Sequence, residues 1–244
     1  MDCSAGRSKR VKIGIIGAGM IGGTLARRLV ELGHEVVIAN SRGPETIREL
    51  AAEVGATAVT AAEAARGGEI VIVTIPQRAV AELPKDLFAG VPADVVVIDT
   101  GNYYPSRDGN IPPLHEGQPE SAWVAEHLGR PVIKAFNNIY FQSLLEKGMP
   151  KGTAGRIALP VAGDPPDARA KVLRLVDELG FDPVDAGSID ESWRQQPGTP
   201  CYTQDLEAPR LKEALAEADR SRLAEYRKAA DDAARAYFEA QSGG

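Results

Sequence analysis

The stretch GIIGAGMIGG, Gly14 to Gly23, limits what this chain can fold into more than any other part of it. Lys12 to Ile16 is a short β-branched run, and Ile21, Leu25, Leu29 and Leu32 follow at helical spacing up to Gly33. Strand, tight turn and helix are therefore predicted in immediate succession. Gly17, Gly19 and Gly22 stand at the bend in the pattern G-x-G-x-x-G. In such a β-α unit the first glycine permits the tight turn, the second lets a pyrophosphate approach the backbone, and the third lets helix and strand pack closely. The first turn of the helix then offers free N–H groups and partial positive charge to a phosphate. A dinucleotide site on the opening unit of a doubly wound sheet is the structure this pattern predicts.

The rhythm continues along the chain. Strand-like runs recur at Val36 to Ala39, Thr57 to Thr60, Ile70 to Ile75, Val95 to Asp99 and Val132 to Ala135, and Pro44 opens a helix with Ile47, Leu50, Ala51 and Val54 on one face. Continuously apolar strands separated by helices imply a parallel sheet covered on both sides. From Arg156 the pattern shortens to a strand (Ile157 to Val161), a helix carrying Ala168, Val172, Leu175, Val176 and Leu179, and a returning strand (Phe181 to Asp185). The end is charged and alanine-rich, with Leu223, Tyr226, Ala230, Ala233 and Tyr237 in a three-four repeat that suits packing against another surface. The expected fold is α/β: a disordered tail over 1–10, a Rossmann-type doubly wound parallel sheet over 11–150, and a small α+β and helical appendage over 151–244. Two Pro- and Gly-rich segments, Tyr103 to Glu120 and Gln195 to Gln204, read as loops that wall a site.

Composition narrows the class further. A net charge of −6 without a long like-charge block gives no footprint for nucleic acid and no polybasic membrane surface. No apolar run approaches the roughly eighteen residues of a spanning helix. Cys3 and Cys201 offer neither a disulfide framework nor metal-ligand spacing. A cytoplasmic protein with no membrane, nucleic-acid or metal partner is expected.

The second strand decides which dinucleotide. An NAD site places an acid at its end for the adenosine ribose, and that acid would repel a 2′-phosphate. Here the positions read Asn40, Ser41 and Arg42. A hydroxyl and a guanidinium suit the phosphate of NADP(H), because a charge-assisted contact of this kind contributes about 1.5–3 kcal/mol. Ligands of open parallel sheets lie across the carboxyl ends of the strands, so Thr74, Ile75 and Pro76 after the fourth run and Asn102 after the fifth are candidate cofactor contacts. Lys134, a charge inside an apolar segment, either faces the cleft or pairs with a carboxylate at the sheet end. Asn137 and Asn138 follow it and could hold a substrate carbonyl or cap the next helix. His115 lies in the long loop, where it is a candidate proton donor or a plain surface residue.

Taken together, GIIGAGMIGG, the NSR turn, VIVTIP, DTGN, VIKAFNN and LPVAGD…VDELGFDPVDAGS resemble the NADPH-dependent coenzyme F-420 reductases, the NADP:deazaflavin oxidoreductases. They are also similar to the NADPH-binding domain of the six-transmembrane metalloreductases. The likeness spans most of Lys12 to Ser188. It implies hydride transfer between nicotinamide and a deazaflavin, coenzyme F-420, in a homodimer. Gly17, Gly19, Met20 and Ile21 would cradle the pyrophosphate, with Gly22 completing the fingerprint, Ser41 and Arg42 would hold the 2′-phosphate, and Ile75, Pro76 and Asn102 would line the NADP path. Asn137 and Asn138 would lie near the second ring. Transfer between two planar rings asks for orientation more than for an acid or base. A reductase of a small carbonyl or imine substrate would need a proton donor such as Lys134, His115 or Tyr202. A third reading is a module that senses NADP(H) without turnover.

Overall fold

The structure is a computed structural model that describes residues 10–242, with the side chains of 238–242 left out. The tail expected over 1–10 thus lies outside the described residues except for Arg10, and Cys3 lies outside them as well.

Strands and helices alternate from the start: β1 (Lys12–Ile16), α1 (Met20–Glu31), β2 (Glu35–Ala39), α2 (Arg48–Val54), β3 (Thr57–Ala58), α3 (Ala61–Arg66), β4 (Ile70–Val73), α4 (Gln77–Ala81) and β5 (Val96–Asp99). The chain continues through α5 (Pro105–Asp108), α6 (Pro112–His115), α7 (Glu120–Leu128), β6 (Ile133–Lys134) and α8 (Phe141–Glu146). The six strands form one parallel sheet in the order β3-β2-β1-β4-β5-β6. This is the doubly wound Rossmann-type topology, and its order reverses between β1 and β4. Period-two alternation explains why the strands are apolar throughout. Ile13, Ile15, Ile70, Ile72, Val96 and Ile98 face a core shared with Leu25 and Leu29 of α1. The intervening Val71, Val73 and Val97 face a second core, with Ala64 and Ala65 of α3 and Trp123 and Val124 of α7.

The shorter rhythm after Arg156 becomes β7 (Ala158–Val161), α9 (Pro166–Glu178) and β8 (Asp182–Asp185), with the two strands parallel. Lys134 and Ala162 form an antiparallel bridge, which joins this pair to the edge of the main sheet. Val172, Leu175, Val176 and Phe181 enter the same core as Ile13 and Ile98. Helix α10 (Ala208–Glu217) covers the other side of β7 and β8 through Leu211, Ala214 and Leu215. Helix α11 (Leu223–Ser242) buries Tyr226 and Asp231 and leaves Ala233 exposed. It holds the segment expected to be a long loop: Asp231 Oδ1 accepts from the Ser106 amide at 2.9 Å and from the Ser106 hydroxyl at 2.6 Å, and Arg227 donates to the Leu114 carbonyl.

The long loop itself needs correction. Tyr103 to Glu120 contains two short helices, each with a proline in its first turn, where the missing N–H costs nothing and the fixed φ favours helix. Buried Tyr103 organises them, its hydroxyl donating to the Gly109 carbonyl at 2.8 Å and accepting from the Ile111 amide at 3.1 Å. No helix among the described residues is long and apolar enough to cross a membrane.

Candidate functional site

The glycine turn between β1 and α1 separates residues that serve the protein from one that does not. Gly17 has φ +121°, and a Cβ there would stand 2.1 Å from the Thr74 carbonyl oxygen. A Cβ on Gly22 would stand 2.0 Å from the Gly17 oxygen. Both positions are closed by the fold. Gly19 is different, since a Cβ there would meet nothing within 4 Å. Helix α1 begins at this residue with no side-chain cap and no acid in its first turn, so its leading N–H groups face outwards beside an open flank. Exposed Met20 adjoins the same opening. Thr74 and Ile75 are wedged against the turn from the end of β4, and Pro76 redirects the chain into α4.

Beyond β2, Asn40 folds the next turn: its Oδ1 accepts from the Arg42 amide at 3.1 Å and its Nδ2 donates to Thr46 Oγ1 at 2.8 Å. Asn40 therefore shapes the corner, while Ser41 and Arg42 are exposed on it. Among the described residues neither the Ser41 hydroxyl nor the Arg42 guanidinium is engaged by another side chain. An uncapped helix start, an open glycine flank and an unengaged hydroxyl and cation one strand away form a donor set that fits a phosphorylated dinucleotide.

On the far side of the turn, the ends of β5 and β6 carry a polar bay. Asn102 donates from Nδ2 to the Asn137 carbonyl at 2.9 Å and to the Tyr202 hydroxyl at 3.2 Å, and its Oδ1 accepts from Asn137 Nδ2 at 3.1 Å. Asn137 also donates to the Gln195 carbonyl at 2.7 Å and accepts from Gln195 Nε2 at 3.0 Å. Asn138 is 1% exposed, yet neither atom of its amide has a hydrogen-bond partner, and the same holds for fully buried Gln77. The backbone is strained on both sides of Asn138: Phe136 has φ 61° and Thr203, whose amide donates to the Asn138 carbonyl, has φ 54°. Left-handed conformations of non-glycine residues gather at functional sites. Around Asn102, Tyr104 and Tyr202 join hydroxyl to hydroxyl, Arg107 lies 5.1 Å over the Tyr104 ring, and Tyr140 is exposed nearby. Burial holds the Tyr202 phenol well above its ordinary range and raises that of Tyr104.

Beneath the bay Lys134 is fully buried, with its ammonium 3.3 Å from Asp99 Oδ2, 3.7 Å from Glu120 Oε2 and donating to the Gly101 carbonyl. Ser121 donates to the same Asp99 oxygen at 2.5 Å. Of the two roles open to Lys134, the structure selects the carboxylate pairing. His115 ends α6 on the surface, its ring edge-on to Tyr103 at 5.6 Å, and the structure does not bring it together with Lys134, Asn102 or Asn138. Asp99, Tyr104, Glu120 and Gln195 escaped the sequence reading. Their segments were marked, Tyr104, Glu120 and Gln195 by the two loops expected to wall a site and Asp99 by the DTGN stretch, but no local feature singled out these side chains.

Residues 12–103 match the family model of the coenzyme F420-dependent NADP oxidoreductases. The match covers less than half of the chain, from β1 through Tyr103. Among curated proteins the chain is similar to YjhV of Escherichia coli K12, with 52% identity over 67 residues, 28% of this chain and 49% of that protein. The chain thus spans about half the length of this relative. Among solved structures, the hypothetical protein SMa0349 of Sinorhizobium meliloti superposes with a TM-score of 0.70 at 29% identity, over 82% of this chain and 97% of the other. A protein of Arthrobacter sp. FB24 provisionally named an F420-dependent NADP reductase gives 0.60 at 25% identity, over 73% and 86%.

Proposed function

We propose that this chain is an NADPH-dependent oxidoreductase that passes hydride to a deazaflavin of the coenzyme F-420 type. One observation carries the reading: a corner suited to a 2′-phosphate and a bay walled by Tyr104, Tyr140 and Tyr202 lie on opposite sides of the glycine turn. A dinucleotide whose pyrophosphate rests on that turn reaches both, since strands β2 and β5 flank the switch point on opposite sides. NADPH, when bound, supplies a hydride from its nicotinamide ring.

The chain's own residues then bind and orient. Gly19 and the start of α1 receive the pyrophosphate, Ser41 and Arg42 the 2′-phosphate, and Asn102 the nicotinamide end. The unpaired amide of Asn138 offers a donor and an acceptor to the second ring, and the tyrosines offer it flat surfaces. Lys134, tied to Asp99 and Gly101, sets the height of the Asn102 turn and takes no part in the transfer. The family match supports NADP-dependent oxidoreduction, and the family's acceptor supports the deazaflavin.

The test is direct. Calorimetry should show NADPH preferred over NADH, and mixing NADPH with the oxidised deazaflavin should bleach the acceptor's visible band. Binding of NADPH without bleaching at high protein concentration rejects the acceptor, and preference for NADH rejects the corner.

A further inference from the structure

The two hydroxyls of Tyr104 and Tyr202 share an arithmetic that leaves one proton over. Two phenols carry two hydroxyl hydrogens, and the hydrogen bond between them uses one, whichever ring donates. The Asn102 amide donates into the Tyr202 oxygen and so supplies a further hydrogen rather than an acceptor. Among the described residues no carbonyl, carboxylate or amide oxygen takes the second hydroxyl hydrogen. The pair is therefore a donor with a spare proton, fixed at the end of β5 by an amide that is itself locked to Asn137.

Hydride transfer to a conjugated ring needs such a proton. When hydride reaches the ring carbon of the acceptor, the π pair of that carbon is pushed onto a conjugated ring nitrogen, which gains negative charge. We propose that the Tyr104–Tyr202 hydroxyl pair is the catalytic acid that protonates this atom. The inference rests on the hydride-transfer reading above. The step balances: the reduced nicotinamide loses a hydride and becomes the oxidised, positively charged ring, the acceptor gains hydride and a proton, and the tyrosinate left behind takes a proton from solvent at its partly exposed edge.

The surroundings favour that assignment over the other candidate donors. Lys134 has no exposed surface and three partners, and His115 stands elsewhere. Burial above all keeps both phenols protonated; Tyr104 adds to this at Tyr202, while the Tyr202 hydroxyl and Arg107 act the other way at Tyr104, and Glu120 and Tyr140 raise both.

The variants Tyr202→Phe and Tyr104→Phe, each keeping the ring, test the pair in the full-length protein with NADPH and the oxidised deazaflavin. NADPH affinity, read from nicotinamide fluorescence, should stay within about twofold, because binding energy is unchanged. Turnover should fall by about 100-fold, the lower end of what a positioned acid contributes. In wild type, log kcat should be flat with pH through the neutral range, and in the variants it should fall with a slope of about −1, since solvent must then supply the proton. Ultraviolet titration of the protein without cofactor gives a readout independent of turnover: burial, the main cause, still raises the Tyr202 phenol in Tyr104→Phe, but it should ionise at lower pH than in wild type, because the contribution of the neighbouring phenol is gone. Wild type that turns over while both variants match its rate and its pH profile overturns this inference and leaves the hydride reading standing. Wild type that binds NADPH and reduces no deazaflavin overturns both.

Discussion

Gly19 and Gly22 differ by three positions and by what surrounds them. A methyl on Gly22 has the Gly17 oxygen 2.0 Å away, whereas a methyl on Gly19 has no protein atom within 4 Å. Gly22→Ala should therefore lower the melting temperature, and Gly19→Ala should melt like wild type yet lose NADPH affinity in a fluorescence titration, because the proposed dinucleotide would lie against that open flank. Arg42 is argued the same way. Its guanidinium has no partner among the described residues, so its removal leaves nothing unpaired. Arg42→Ala should weaken NADPH by roughly 10- to 100-fold, at ~1.4 kcal/mol per tenfold, and leave NADH little changed in calorimetry. All three residues were legible in the sequence, since a glycine spacing and a missing acid are local features that need no tertiary contact to be read.

Elements meet at Lys134, where β5, β6 and α7 place Asp99, the ammonium and Glu120 in one dry layer. Burial pushes the Glu120 carboxyl up to about 7 from its ordinary 4.5, opposed by Lys134 and reinforced by Asp99, with Arg227 a weaker opposing charge. Between those two pH values the folded chain keeps a proton that the unfolded chain has released. Stability from this group is complete below pH 4.5 and is lost as pH rises through about 7. Urea unfolding midpoints measured at acid and at neutral pH should show the decline, and Glu120→Gln should flatten that part of the profile. Lys134→Met should cost about 3–5 kcal/mol in the same assay, since the buried Asp99 carboxylate loses its counter-charge. The sequence marked Lys134 as needing a partner; it could not say which, because Asp99 and Glu120 lie 35 and 14 positions away, on other elements.

At the scale of the whole molecule the core does not stop where the sequence rhythm changes. Ile13 of β1 and Phe181 beside β8 belong to one buried cluster, and Arg28 of α1 donates to the Leu144 and Leu145 carbonyls of α8 and to Leu179 at the end of α9, at 2.8–3.1 Å. Far-ultraviolet circular dichroism and tryptophan fluorescence should therefore report one coincident unfolding transition, with Trp123 and Trp193 on the two sides of the joint. Arg28→Ala should move that single transition down by about 2–3 kcal/mol through three carbonyls left without their donor. Two separate transitions would show that the appendage unfolds by itself.

From the sequence alone came the alternation, the parallel sheet, the glycine turn and the exposed hydroxyl and cation that follow the second strand. Each is written in neighbouring residues, because backbone preference, helix and strand period and turn chemistry act over a few positions. The tertiary structure decided the rest: the partners of Lys134, the two short helices inside the long loop, and the meeting of Tyr104 with Tyr202 across 98 positions. Contacts that distant are set by how sheet and helices pack around a shared core, and no local spacing records them.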